Sequence, residues 1–136
     1  SIFMIQLLYH TKLSTCASAI RQCWQSHDKG GCYVNPTDNI GASDISLMER
    51  IILKHKHSST AEHLVVTVNL SFGDIPYYQE MAFFISNPYS IVTSIDDFNY
   101  VITTNARVLI EHQDKLPVFI SKATPTSWQF LFEEQA

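Results

Sequence analysis

Cysteine is scarce in this chain and poorly spaced for any framework. Cys16, Cys23 and Cys32 are an odd set with no C-x-x-C pair, so neither a disulfide scaffold nor a zinc ribbon is expected. Cys16 and Cys23 fall on one face of a helix and read as small buried hydrophobes. Reduced thiols suit a cytoplasmic protein. Positive charge is also in short supply. Nine Lys and Arg against thirteen Asp and Glu leave a net charge of −4. The basic residues are scattered, which excludes a nucleic acid bound by its backbone and leaves a single nucleotide open. No apolar run approaches the ~20 residues that cross a bilayer, so no membrane partner is expected. The start, Ser1-Ile2-Phe3-Met4-Ile5, lacks the basic region and cleavage site of a signal peptide. Repeats, linkers and low-complexity segments are missing too. What remains is 46% apolar and 16% charged over 136 residues, the balance of one folded, soluble domain with a single core.

Ile2 to Tyr9 is apolar and β-leaning, an opening strand. Ser14 is placed to cap a helix running through Ser26, with Ala17, Ile20 and Trp24 at helical spacing. Gly30-Gly31 and the stretch 35–39 form a polar loop. A second helix starts at Ser43 or Ser46, carries Leu47, Met48, Ile51 and Ile52, and ends near His55. The clearest strand is Leu64 to Leu70, whose alternate residues Leu64, Val66, Val68 and Leu70 face one way. Asp74 caps a third helix with Ile75, Tyr78, Met81, Ala82 and Ile85 on one side, stopped by Asn87-Pro88. Strands follow at 89–94 and 98–104. Asn105 opens a short helix carrying Leu109 and Ile110 inward, Pro117 interrupts, and 127–134 gives a last helical turn or two. Helices and strands mix without a βαβ rhythm, so the expected class is α+β.

Three stretches, in order, resemble the flavin-dependent (X-type) thymidylate synthases. Ile20-Arg21-Gln22-Cys23-Trp24-Gln25-Ser26, followed by Gly30-Gly31-Cys32, is similar to the family's early helix ending in a flavin-contacting serine. His57-Ser58-Ser59-Thr60-Ala61-Glu62-His63 before an alternating strand resembles the H-x-[ST]-x-x-E-H element. Thr104-Asn105-Ala106-Arg107-Val108-Leu109 is similar to T-x-N-A-R-x-L. The resemblance implies the family's single α+β domain over residues 1–136, with a mixed or antiparallel sheet packed against helices. It implies FAD as cofactor, held weakly or lost, with Ser26, His57, Ser59, Glu62, Asn105 and Arg107 at flavin-contacting positions. Gln79 stands at a position that contacts the nucleotide dUMP.

The departures fall on the chemistry. Aligned on Gln79, Ala82-Phe83-Phe84 stands where the family has R-H-R, and Ser90, Val92 and Ser94 stand near its nucleotide-binding Glu, Ser and Arg. The family's central helical insert is missing, and Lys115 or Leu116 meets a further nucleotide-contacting Arg. Charge-assisted bonds contribute about 1.5–3 kcal/mol each, so losing two or three weakens phosphate binding roughly 10³-fold. The expected function is an inactive, oligomeric homologue acting in binding, regulation or structure. The family's tetramers make a homo-oligomer, or a mixed oligomer with another thymidylate synthase subunit, the expected assembly. The competing readings are an active FAD-dependent synthase with rearranged ligands, a weak flavin or nucleotide binder, and a protein whose aromatic surface at Tyr77, Tyr78, Phe83 and Phe84 packs against another macromolecule. Phe83 and Phe84 also offer rings on which a base or a flavin can stack.

Three further groups keep structural and chemical readings side by side. His55, His57 and His63 have the residue type of a metal cluster without a carboxylate-rich second shell, and no metal is expected. Glu62 pairs with Lys54 or Arg107, and Arg107, unfavourable at a helix start, faces either Glu62 or a ligand phosphate. Ser86 and Ser90 lack the base and orienting acid that a nucleophile requires, so no catalytic residue is assigned.

Overall fold

The computed structural model describes residues 2–54, 58–73 and 79–132. Strand β1 (Ile2–His10) leads into helix α1 (Leu13–Cys23), and a 3₁₀ turn at His27–Lys29 and a loop carry the chain to α2 (Ala42–Met48). That helix widens into a π-helical stretch at Glu49–Lys54. A 3₁₀ helix (Ser58–His63) precedes β2 (Val65–Phe72). Then come α3 (Gln79–Ser86), β3 (Ile91–Ser94), β4 (Asn99–Asn105), α4 (Ala106–Glu111), α5 (Pro117–Ala123) and a closing 3₁₀ helix at Thr126–Leu131.

The strands build one four-stranded sheet in the order β1-β2-β4-β3. Every pairing is antiparallel, with Leu7 opposite Val68, Val68 opposite Ile102, and Ile102 opposite Val92. This is the α+β class that the intermixed elements predict. Alternation decides the faces. Leu64, Val66, Val68, Leu70 and Ile102 are fully buried, and each such side chain contributes about 1.5–3 kcal/mol by leaving water. Ile20 of α1, Met48 of α2, Met81 and Phe84 of α3, Leu109 of α4 and Phe119 of α5 join them in one cluster. The other face keeps Thr67 bonded to Thr103 (2.9 Å) and Ser71 bonded to Asn99 (2.7 Å).

Several local expectations are corrected. Ser14 does not cap α1, which begins at Leu13 after Lys12. The Ser14 hydroxyl instead accepts from the Thr37 N–H (2.8 Å), while Asp38 accepts from the Leu13 N–H (3.0 Å). The loop thus caps the helix from a distance. Helix α1 ends at Cys23, before Ser26, and Cys23 is exposed while Cys16 is buried. Pro117 starts a helix rather than breaking one, because its missing N–H falls where a helix needs none. The proposed cap Asp74 and the side chains of Ile75, Tyr77 and Tyr78 lie outside the described residues.

Candidate functional site

Two regions of the molecule hold the residues that the sequence singles out. The first is a cavity of about 460 Å³ lined by Arg21, Trp24, Ser26, Lys29, Leu47, Arg50 and Ile51. Its walls come from the end of α1, the following 3₁₀ turn, and α2 with its π-helical continuation, which carry Leu47, Arg50 and Ile51 on one side. The Ser26 Oγ is buried and has no partner among the described residues. Trp24 is 58% exposed. A cationic rim from Lys29 and Arg50 and a flat indole face suit a ligand with an anionic group and an aromatic ring, with the unpartnered Ser26 hydroxyl buried in the wall.

Beneath this cavity lies a buried ion pair that sequence reasoning missed. Arg21 Nε donates to Asp44 Oδ1 (3.0 Å), with the two residues 5% and 2% exposed. The Gly31 N–H (3.0 Å) and the Tyr33 hydroxyl (2.6 Å) donate to Asp44 Oδ2. Burial alone would raise the Asp44 pKa. The hydrogen bonds from Tyr33, Gly31 and Arg21, with the Arg21 charge, outweigh it and hold the carboxyl below its ordinary range. Burial and then the bond to Asp44 raise the Tyr33 phenol. The Gly30-Gly31 pair wraps this carboxylate. A Cβ on Gly30 would stand 2.5 Å from Asp44 Oδ1, and Gly31 has φ of +77° with a Cβ position 2.7 Å from Arg21 Cγ. Only glycine fits there. The double glycine beside an arginine-bearing helix was the one available signal, and it named no carboxylate.

The second region lies where the 3₁₀ helix 58–63 meets α4. Glu62 accepts from Arg107 Nη1 at 2.7 Å, and Glu111 accepts from Arg107 Nε at 3.1 Å. Of the two partners open to Glu62, the structure uses Arg107, and the anion facing Arg107 is a side chain. Glu62 first and Glu111 second raise the Arg107 pKa. The Asn105 side chain caps α4 by accepting from the Val108 N–H (3.0 Å). Glu62, Asn105 and Arg107 are therefore brought together and tied to one another's elements. Ser59 is exposed on the same 3₁₀ helix. Among the described residues, Ser26 is the one expected contact that lines the Trp24 cavity. Gln79 opens α3, and His57 lies outside the described residues. So does His55, and among the described residues no group of three His, Cys, Asp or Glu side chains is placed to hold a metal.

Helix α3 settles the state of the two phenylalanines. Phe84 is fully buried and packs against Phe119 with ring centroids 4.7 Å apart. It is a core ring, not a surface on which a ligand stacks. Phe83 meets Phe84 edge-on at 5.1 Å and His112 at 5.0 Å. From Met81 to Ser86 the helix carries no charged residue.

No family model matches the chain. It is 41% identical over 78 residues to a flavin-dependent thymidylate synthase of Wolinella succinogenes, and 48% identical over 78 residues to one of Campylobacter jejuni. The chain is related to the flavin-dependent thymidylate synthases. These stretches cover 57% of this chain and 35% and 34% of the relatives, so the match spans about a third of their length. Crystal structures of thymidylate synthase X from Helicobacter pylori with FAD and dUMP share the fold. They have a TM-score of 0.69 and 17% identity, over 96% of this chain and 98% of that one. The fold of this chain is that of a flavin-dependent thymidylate synthase, as the three motif stretches imply.

Proposed function

We propose that the chain is a non-catalytic homologue of the FAD-dependent thymidylate synthases, a single domain without the family's helical insert. It acts as an oligomeric binding protein in the cytoplasm. The observation that carries this reading is the state of α3. Where the family resemblance puts a cationic clamp, this chain has Ala82, Phe83 and Phe84, with Phe84 sealed in the core against Phe119. A nucleotide phosphate entering there would meet no charge-assisted donor, and desolvating an anion without one is costly. Arg107, which resembles a flavin-contacting residue, is already engaged by two carboxylates. Among the described residues, we assign none the role of catalyst.

A ligand role remains at the other end of the resemblance. The orphaned Ser26 hydroxyl, Trp24, Lys29 and Arg50 fit the phosphate and a ring of a flavin or adenine nucleotide. Bound FAD would supply hydride chemistry, and the residues of this cavity would hold and orient it without reacting it. Tritium release from labelled dUMP with methylenetetrahydrofolate, NADPH and FAD tests the first part. No release above background is expected, and turnover overturns the reading. Titrating FAD while following Trp24 fluorescence tests the second, with quenching expected in the native chain and lost in Arg50→Ala.

A further inference from the structure

Three side chains meet where β1 runs into α1 and the polar loop folds back over the joint. Asp38, from that loop, gives each carboxylate oxygen a separate task. Its Oδ1 accepts from the Leu13 N–H at 3.0 Å, at the start of α1. Its Oδ2 faces Lys12 Nζ at 3.7 Å and His10 Nδ1 at 3.8 Å. Lys12 Nζ also stands 3.4 Å from His10 Nε2. The imidazole meets the buried Trp128 ring edge-on, with centroids 6.3 Å apart. Its side chain is 19% exposed, against 43% for Lys12.

The contact with Lys12 fixes the state of the ring. An ammonium donates and cannot accept, so Nε2 is the bare nitrogen and Nδ1 carries the hydrogen. That hydrogen has the Thr11 carbonyl as its acceptor at 3.3 Å. In this state Lys12 is the cation that Asp38 Oδ2 meets, with the neutral ring as its second acceptor. A further proton on the ring reverses the arrangement. Nε2 becomes a donor facing a donor, and two positive charges stand 3.4 Å apart before a single carboxylate oxygen. Like charges at that range repel. Lys12, on a long and more exposed stem, is free to leave; the ring packed on Trp128 is not.

We infer that the proton on His10 works as a switch, exchanging the partner of Asp38 from Lys12 to the imidazolium. Without the proton, the loop is tied to the joint through a surface lysine. With it, the loop is tied to β1 through a ring packed on the core, and Lys12 turns to solvent. Histidine changes charge between about pH 5 and 8, so mild acid suffices. Around the ring, β2 sets Val66 opposite His10 and the closing 3₁₀ helix brings Trp128. Helix α5 packs on β1, and its one charged residue, Lys122, is exposed. Among the described residues, the charged groups facing His10 are therefore Lys12 and Asp38. Asp38 Oδ1 keeps its bond to Leu13 in both states, so the helix start survives the exchange. The switch uses no residue of the Trp24 cavity and stands or falls apart from the function proposed above.

Nuclear magnetic resonance of the full chain at about pH 8 and about pH 5 tests it. In the alkaline sample the imidazole nitrogen spectrum should show Nδ1 protonated and Nε2 bare. An Overhauser contact should join the Lys12 ε-methylene to the His10 ring. In the acid sample that contact should be lost, and the Lys12 signals should move along the same curve as the ring. In His10→Gln the Lys12 signals should hold still across the same range. A neutral ring protonated at Nε2 overturns the proposal, as does a Lys12 contact that survives protonation of the ring. Lys12 signals that still move in His10→Gln overturn it too. If that variant loses its native spectrum, the two readings on the native chain decide alone.

Discussion

Asp44 is the side chain on which the region beneath the Trp24 cavity depends. It neutralises Arg21 in the interior and gathers Gly31 and Tyr33 around one carboxylate. Removing one partner of a buried pair typically costs about 3–5 kcal/mol, because the other charge is left unmet. Asp44→Ala should lower the unfolding free energy measured in urea by that order. The same carboxylate predicts a pH dependence. Its folded pKa lies below its unfolded value of about 3.9, so the unfolded state binds the extra proton first as pH falls. The stabilisation is present above the unfolded pKa and is lost as pH drops through the folded one. Urea unfolding followed below about pH 4 should show stability declining with acid, and Asp44→Asn should flatten that decline. At Asn105 the expected loss is smaller, about 1 kcal/mol for Asn105→Ala, the usual cost of an N-cap. Asn105, Glu62 and Arg107 were legible in the sequence as a group. Asp44 was not, because a single aspartate 23 residues from its arginine leaves no local pattern.

At the scale of elements, what the sequence discloses depends on how local the cause is. Strand β2 announces itself because its alternation is its own, with buried and half-buried residues in strict turn from Val65 to Phe72. The start of α1 does not, because its capping acceptors are the Thr37 carbonyl, bonded by the Ser14 N–H, and the Asp38 carboxylate, bonded by the Leu13 N–H, across a loop. Nor does the π-helical stretch at Glu49–Lys54. Its pattern of Ile51 and Ile52 reads as an ordinary helix. Helix α3 gives a sharp contrast between neighbours. Phe84→Ala should cost about 3–5 kcal/mol, as emptying a packed aromatic site does. Phe83→Ala, on a half-buried ring, should cost clearly less. Equal losses in urea unfolding would mean that the two rings share one environment.

Taken whole, the molecule keeps a family fold in which two of the motif residues, Glu62 and Arg107, are paired with each other. That general outline was readable from three motifs in order. Which motif residues still face open space was not, because that depends on contacts between segments far apart in the chain. The protein also carries its own reporter of opening. The Cys16 thiol is wholly buried, donates to the Thr60 carbonyl at 3.4 Å, and is pushed up to about 12 by burial. Cys23 and Cys32 are exposed. An alkylating reagent should therefore modify two positions within minutes and wait on the third until the chain unfolds. Mass spectrometry of that slow third adduct would time global breathing without any engineered label.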